Sequence, residues 1–186
     1  MATTLNVLGI SGSLRKGSFN SALLRLAQTL APADMKIAIA DISQLPLYNQ
    51  DEDTANPPSA VTPFRAQCKK ADAFLFACTE YNFSVSGVMK NAIDWASRPA
   101  NDSGLTGKPC AIIGAAGGPV GTGRAQYHLR QICVFNNMFP VNKPEVFIGL
   151  AQQKFDADLN LKDDVAKELI KQLLANLDAW TRKLKA

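Results

Sequence analysis

The residues best suited to chemistry lie between Gly9 and Asn20, which read Gly-Ile-Ser-Gly-Ser-Leu-Arg-Lys-Gly-Ser-Phe-Asn. Ser13, Ser18 and Asn20 each carry a group that donates a hydrogen bond to an anionic oxygen. Arg15 adds charge and a planar fork. Such a loop, opening onto a helix N-terminus, suits a phosphate, because hydroxyls, backbone N–H groups and the helix dipole converge on the anion. The plainer reading is a Ser/Gly-rich turn with Ser18 as N-cap. Neither a Walker loop nor GxGxxG followed by an acidic ribose clamp is present.

Two further loops stand out. Thr79-Glu80-Tyr81-Asn82-Phe83-Ser84-Val85-Ser86-Gly87 follows an apolar run. Tyr81 and Phe83 are placed to flank a planar ring, with the backbone N–H groups of residues 80–82 at its polar edge. Gly114-Ala115-Ala116-Gly117-Gly118-Pro119-Val120-Gly121-Thr122-Gly123 lets backbone approach a ligand with no Cβ in the way. Taken singly, each also reads as an ordinary surface loop.

The elements that must carry these loops alternate. Apolar runs predict strands over 5–10, 35–41, 73–78, 109–114 and 145–148. The third is apolar throughout, as in a strand covered on both faces. Ala22, Leu23, Leu26, Ala27 and Leu30 mark one face of a first helix. Further helices are predicted over 63–70, 87–97 and 123–135. In a final helix, Leu161, Val165, Leu169, Leu173, Leu177, Trp180 and Leu184 share one stripe. The 45–58 connection is too irregular for helix. This alternation predicts an α/β protein with an open parallel sheet covered on both faces, in one domain spanning residues 1–186. Ligands in such sheets sit at the carboxyl ends of the strands, where strand order reverses. The loops after strands one, three and four are the unusual three.

These residues resemble the NADPH-dependent FMN reductases, the family that includes bacterial chromate and quinone reductases. The phosphate signature GSLRxGSxN stands intact over 12–20. The signature TPEYNxSxPGxLKNAIDW is matched from Cys78 to Trp95 with changes: Thr79 and Ser86 replace prolines. A third segment matches over Gly123 to Gln131. The resemblance implies a flavodoxin-like three-layer sandwich with a five-stranded sheet in the order 2-1-3-4-5, binding FMN non-covalently. By position, Ser13, Arg15, Ser18 and Asn20 would hold the phosphate, with Ser11, Phe19 and Thr79 close by. Glu80, Tyr81 and Asn82 would meet the isoalloxazine, largely through backbone. Ala116 and Gly117 would pass its pyrimidine side. Losing two prolines predicts a more adaptable second loop. The implied activity is ping-pong transfer from NAD(P)H to quinones, or to chromate, azo compounds or free flavin, with no catalytic side chain and no metal. Arg124, Tyr127 and Glu145 would join subunits in a homodimer or homotetramer.

Other features agree. The chain has 186 residues, 47% of them hydrophobic. No apolar run approaches the roughly 18 residues that span a bilayer. The absence of a leader pattern predicts a cytoplasmic protein. Cys68, Cys78, Cys110 and Cys133 lack metal-ligand spacing and read as free core thiols. Lys90 and Asp94 are spaced to pair on a helix. His128, the single histidine, reads as structural or interfacial. The formal charge of +4 is scattered, with no nucleic-acid stripe. It also counts against an acidic flavodoxin-like electron carrier, the alternative reading together with a flavin-binding redox regulator.

Overall fold

The structure is a computed structural model and describes residues 3–186. In chain order its elements are β1 (Leu5–Ser11), α1 (Phe19–Leu30), β2 (Met35–Ile39), α2 (Val61–Lys70), β3 (Ala73–Ala77), β4 (Glu80–Tyr81), β5 (Ser84–Val85), α3 (Gly87–Ala96), β6 (Pro109–Ala115), α4 (Gly123–Phe135), β7 (Phe139–Pro140), β8 (Val146–Ile148), α5 (Ala151–Lys154) and α6 (Asp164–Lys185).

The central sheet is parallel, ordered β2-β1-β3-β6, with both β7 and β8 pairing along β6. Counting β6 and β8 as the fourth and fifth strands gives the predicted flavodoxin-like order. The outermost position is filled in two pieces. β7 covers the start of β6 (Cys110 opposite Pro140) and β8 its end (Ile113 opposite Val146). Pro140 and Pro144 cannot donate to a ladder, which agrees with a break between them.

Alternation along β3 and β6 divides the core between the two faces. Ala73, Leu75, Ala77, Ala111 and Ile113 pack with α1 and α6. Phe74, Phe76, Cys110 and Ile112 pack with α2, α3 and α4. The sheet is therefore buried on both sides, and its strands read as continuous apolar runs rather than as alternating ones. All four cysteines are free and buried. No helix among the described residues is long and apolar enough to cross a membrane.

The predicted stripe of the last helix is corrected. Its buried residues are Ala166, Ile170, Leu173, Leu174, Leu177 and Thr181. Val165 is 72% exposed, and Leu161 precedes the helix, bridging to Phe155. Steps of four overshoot a turn of about 3.6 residues, so a stripe built on them drifts around the helix. Asp163 caps α6, its Oδ1 accepting from Ala166 N–H at 3.0 Å, and it pairs with Lys154 at 2.7 Å. The Lys154 contact and the cap hold this carboxyl below its ordinary 3.8. A carboxylate lowered on folding stabilises above the unfolded value and loses that contribution as pH falls through the folded one. Asp163→Ala is therefore expected to cost about 1 kcal/mol at neutral pH. The deficit should shrink below roughly pH 4. Urea titrations at pH 7 and pH 3 check this; an equal deficit at both would contradict it.

Candidate active site

The three unusual loops meet at the carboxyl edge of the sheet, and specific bonds make them meet. Loop one leaves β1 at Ser11 and enters α1 at its N-cap, Ser18. Ser18 Oγ accepts from Ser21 N–H at 3.2 Å, so its hydroxyl hydrogen stays free to donate outward. The amides of Phe19 and Asn20, at the start of α1, have no partner inside the helix. Ser13 Oγ accepts a long bond from Arg15 N–H (3.4 Å), and its own hydrogen is likewise available. Leu14, Arg15 and Lys16 are exposed. The arrangement offers donors and positive charge to an anion.

Three of the predicted loop-one residues face elsewhere. Ser11 Oγ lies 2.8 Å from Ser21 Oγ and braces the loop from inside. The Phe19 ring packs on Phe155, with centroids 4.8 Å apart, so only its amide points the right way. Asn20 Nδ2 donates to Ala115 O at 3.0 Å, and its Oδ1 accepts from Ala115 N–H at 3.0 Å. Asn20 thus clamps loop one to the start of loop three and keeps only its second amide hydrogen for a ligand.

Loop two is an antiparallel hairpin, not an irregular loop. Glu80 pairs with Val85 and Tyr81 with Ser84. Asn82 and Phe83 form its tip at φ 50° and 61°. Two consecutive left-handed residues make a type I′ turn, which is unusual for phenylalanine. Ser86 donates through Oγ to Gly12 O at 2.7 Å and through its N–H to Thr79 O at 3.2 Å. It also caps α3. A proline could make none of these bonds. Ser86 thus ties loop two to loop one through hydrogen bonds that the fixed φ of a proline would not supply.

Glu80 has a structural duty that sequence reasoning missed. Its side chain is 9% exposed. Oε2 accepts from Ala125 N–H at 3.1 Å and Oε1 from Arg124 at 3.3 Å. The carboxylate caps α4, whose own N-cap residue, Thr122, makes no side-chain bond to the amides of the first turn. Nothing in the sequence joins positions so far apart.

Loops two and three enclose a cavity of about 500 Å³, lined by Glu80, Asn82, Phe83, residues 116–121 and Arg124. Close approaches shape its wall. A Cβ on Gly117, in that wall, would fall 2.7 Å from Gln152 Nε2; outside the cavity, one on Gly12 would fall 2.9 Å from Thr79 N, where loop one meets loop two. Tyr81 is exposed and does not line the cavity. Thr79 is buried, and its hydroxyl has no partner. Cys78 lies in the core outside the cavity lining, and burial pushes its thiol up to about 12, which keeps it protonated at neutral pH. No cluster able to hold a metal occurs among the described residues.

The residues read as interfacial make bonds within the chain. Tyr127 donates to Glu145 at 2.8 Å, and Lys143 donates to the same carboxylate at 3.0 Å. The Lys143 and Tyr127 bonds hold Glu145 below the usual carboxylate range. His128 Nδ1 lies 3.0 Å from Ser84 Oγ, bracing the hairpin against α4. Lys90 and Asp94 pair at 2.7 Å.

A doubly wound parallel sheet, with an anion-ready loop after β1 and a ring-sized cleft after β3 and β6, defines a flavodoxin-like nucleotide-cofactor protein. The pattern of the NADPH-dependent FMN reductase family matches residues 5–153, and the chain belongs to that family. It is 56% identical to an NAD(P)H-dependent FMN reductase of Pseudomonas aeruginosa, over the full length of both. It is 50% identical to an NADPH:quinone oxidoreductase of Arabidopsis thaliana, covering 97% of this chain and 93% of that one. Among solved structures it resembles FerB, a flavoenzyme NAD(P)H:(acceptor) oxidoreductase of Paracoccus denitrificans. There the TM-score is 0.88 at 32% identity, over 97% and 98% of the two chains.

Proposed function

We propose that this chain binds FMN non-covalently and transfers electrons from NAD(P)H to quinones. The observation that carries this reading is the clamping of an anion-ready loop against a ring-sized cavity by Asn20–Ala115 and Ser86–Gly12. FMN has the matching chemistry: a dianionic phosphate at one end and a flat ring with a polar edge at the other. Ser13, Arg15, Ser18 and the amides at the start of α1 would hold the phosphate. The backbone of residues 79–82 and of Ala116 and Gly117 would face the ring.

When bound, the flavin supplies the two-electron chemistry, so that NAD(P)H, one proton and a quinone become NAD(P)⁺ and a hydroquinone. The protein orients the ring, leaves one face reachable, and stabilises negative charge with backbone N–H groups that need no reorganisation. One open face implies that reductant and acceptor use it in turn, as in a ping-pong sequence. Quinones lead the acceptor set because the Arabidopsis relative is a quinone oxidoreductase and a Burkholderia relative, 39% identical, a 2-hydroxy-1,4-benzoquinone reductase. Chromate, azo compounds and free flavin form the wider set to assay.

A homodimer or homotetramer in the cytoplasm is the setting we propose. The outer face of α4 leaves Tyr127, Val134 and Phe135 exposed, more apolar surface than one helix ordinarily shows to water. A second copy with Arg124, Tyr127 and Glu145 at its edge would cover it. One experiment reads both parts: gel filtration with light scattering after addition of FMN. The expected result is a yellow peak at two or four times the chain mass. A colourless peak would end the flavin reading, and a single-chain mass the assembly. Mixing the yellow protein with NADPH in a stopped-flow instrument is expected to bleach it rapidly. Negligible bleaching would favour an electron carrier instead.

A further inference from the structure

Two buried side-chain atoms among the described residues have no hydrogen-bond partner. One, Gln126 Oε1, belongs to an amide whose nitrogen already serves Thr122 Oγ1 and Val146 O. The other is the hydroxyl oxygen of Thr79, a residue 7% exposed. An unpaired buried hydroxyl destabilises a fold, and native chains rarely keep one without a use for it.

Thr79 lies where loop one meets loop two. Gly12 N–H donates to Ala77 O at 2.9 Å, and Ser86 N–H to Thr79 O at 3.2 Å. Ser86 Oγ closes the seam by donating to Gly12 O at 2.7 Å. A Cβ on Gly12 would fall 3.2 Å from Thr79 Cβ, so it is the missing side chain that lets Thr79 approach loop one. The hydroxyl is enclosed by its own chain, and none of these neighbours belongs to α4. A second copy covering the outer face of that helix therefore does not supply its partner.

The seam separates the two parts of the proposed FMN site. On one side Ser13 and Ser18 keep hydroxyl hydrogens for a phosphate. On the other lies the 500 Å³ cavity for the ring, and Thr79 is not among its lining residues. A flavin mononucleotide reaching both must carry its ribityl chain across the seam, and that chain bears hydroxyl groups. A threonine hydroxyl both donates and accepts. Rotation about Cα–Cβ moves it between staggered positions, which turns it from the seam toward a ligand with no movement of the backbone. The family signature has proline at this place, which carries no hydroxyl.

We propose that the Thr79 hydroxyl pairs with a ribityl hydroxyl of FMN, which makes Thr79 a cofactor-recognition residue particular to this chain. The inference rests on the flavin reading above and adds to it a contact that the family pattern lacks. The test compares wild type with Thr79→Val, which keeps the branched shape without the hydroxyl, and with Thr79→Ser, which keeps the hydroxyl. Three quantities are measured: the melting temperature of the FMN-free chain by circular dichroism, the Kd of FMN by fluorescence quenching, and the visible absorption band of the FMN-saturated protein.

In Thr79→Val the FMN-free protein is expected to melt about 2–4 °C higher, because the orphaned hydroxyl is gone. Its affinity for FMN should fall about tenfold, roughly the value of one hydrogen bond shielded from water. Opposite signs are the signature, since a side chain that only packs would weaken both or neither. Thr79→Ser should bind FMN within about threefold of wild type. The absorption band should stay in place, because the ribityl chain is not conjugated with the ring. Unchanged FMN affinity in Thr79→Val would overturn the proposal. So would a lower melting temperature of its FMN-free form, the mark of a hydroxyl already bonded inside the protein. A displaced band would put the hydroxyl against the ring and equally end the ribityl assignment. If wild type takes up no FMN, the flavin reading itself fails. If wild type takes it up and Thr79→Val binds it equally well, only this inference does.

Discussion

Gly114→Ala is expected to lower the melting temperature by roughly 6–12 °C. Gly114 is the penultimate residue of β6, at the root of loop three. A Cβ there would fall 2.0 Å from Thr122 Oγ1 and 2.6 Å from Cys78 O. Neither neighbour can give way. Cys78 O is main chain directly after β3, locked by Cys78 N–H donating to Ile113 O at 2.8 Å. Thr122 is fully buried, and its hydroxyl accepts from Gln126 Nε2, which also donates to Val146 O. Relief therefore requires β3 and β6 to part, or α4 to shift with the whole of loop three. Overpacking of this kind costs about 3 kcal/mol. In a chain of this size each kcal/mol moves the melting point by roughly 2–4 °C. Thermal unfolding followed by circular dichroism measures it. Gly87→Ala is the control, because nothing lies within 4 Å of a Cβ at that helix start. A shift in Gly114→Ala no larger than in the control would refute the argument.

Asn20→Ala should weaken FMN binding at least tenfold and destabilise the protein by about 2–4 kcal/mol. The side chain satisfies both main-chain groups of Ala115 at once, in a buried place where water cannot replace it. Truncation leaves a donor and an acceptor orphaned, and each such group costs about 1–3 kcal/mol. The loss of binding has a separate cause. Loops one and three would no longer be held at a fixed separation, so a ligand spanning both would have to order them itself. Asn20→Asp should fare no better, since it sets a carboxylate oxygen against the Ala115 carbonyl. FMN fluorescence quenching gives the affinity and urea titration the stability. Wild-type values for both would show that Asn20 is not the clamp described here.

Loops one and three were legible because their signals are local. Ser18 three residues before Ser21 makes an N-cap, and five glycines in ten residues announce a close approach of backbone. The hairpin between Glu80 and Val85 was not legible. Its turn lacks the Asn-Gly or Asp-Gly pair that favours a type I′ turn, and Phe83 is held there by Arg124, from a helix far along the chain. Reading Thr79 and Ser86 as missing prolines caught the departure but not the bonds that Ser86 gains, because their acceptors, Gly12 O and Thr79 O, come together only on folding.

Taken alone, the chain of residues determined the alternation of strands and helices and the three loops gathered at one edge, which follow from hydrophobic periodicity and the right-handed crossover, rules that operate over a few residues or one connection. The order of the strands in the sheet came with the family resemblance instead. Tertiary structure decided which side chains in those loops are free and which are already committed. Asn20, Glu80 and Ser11 are engaged by backbone or by neighbouring side chains, whereas Arg15 and Ser18 keep donors to spare. That division depends on pairings between distant segments, and no local pattern encodes a hydrogen bond whose two ends meet only once the sheet has formed.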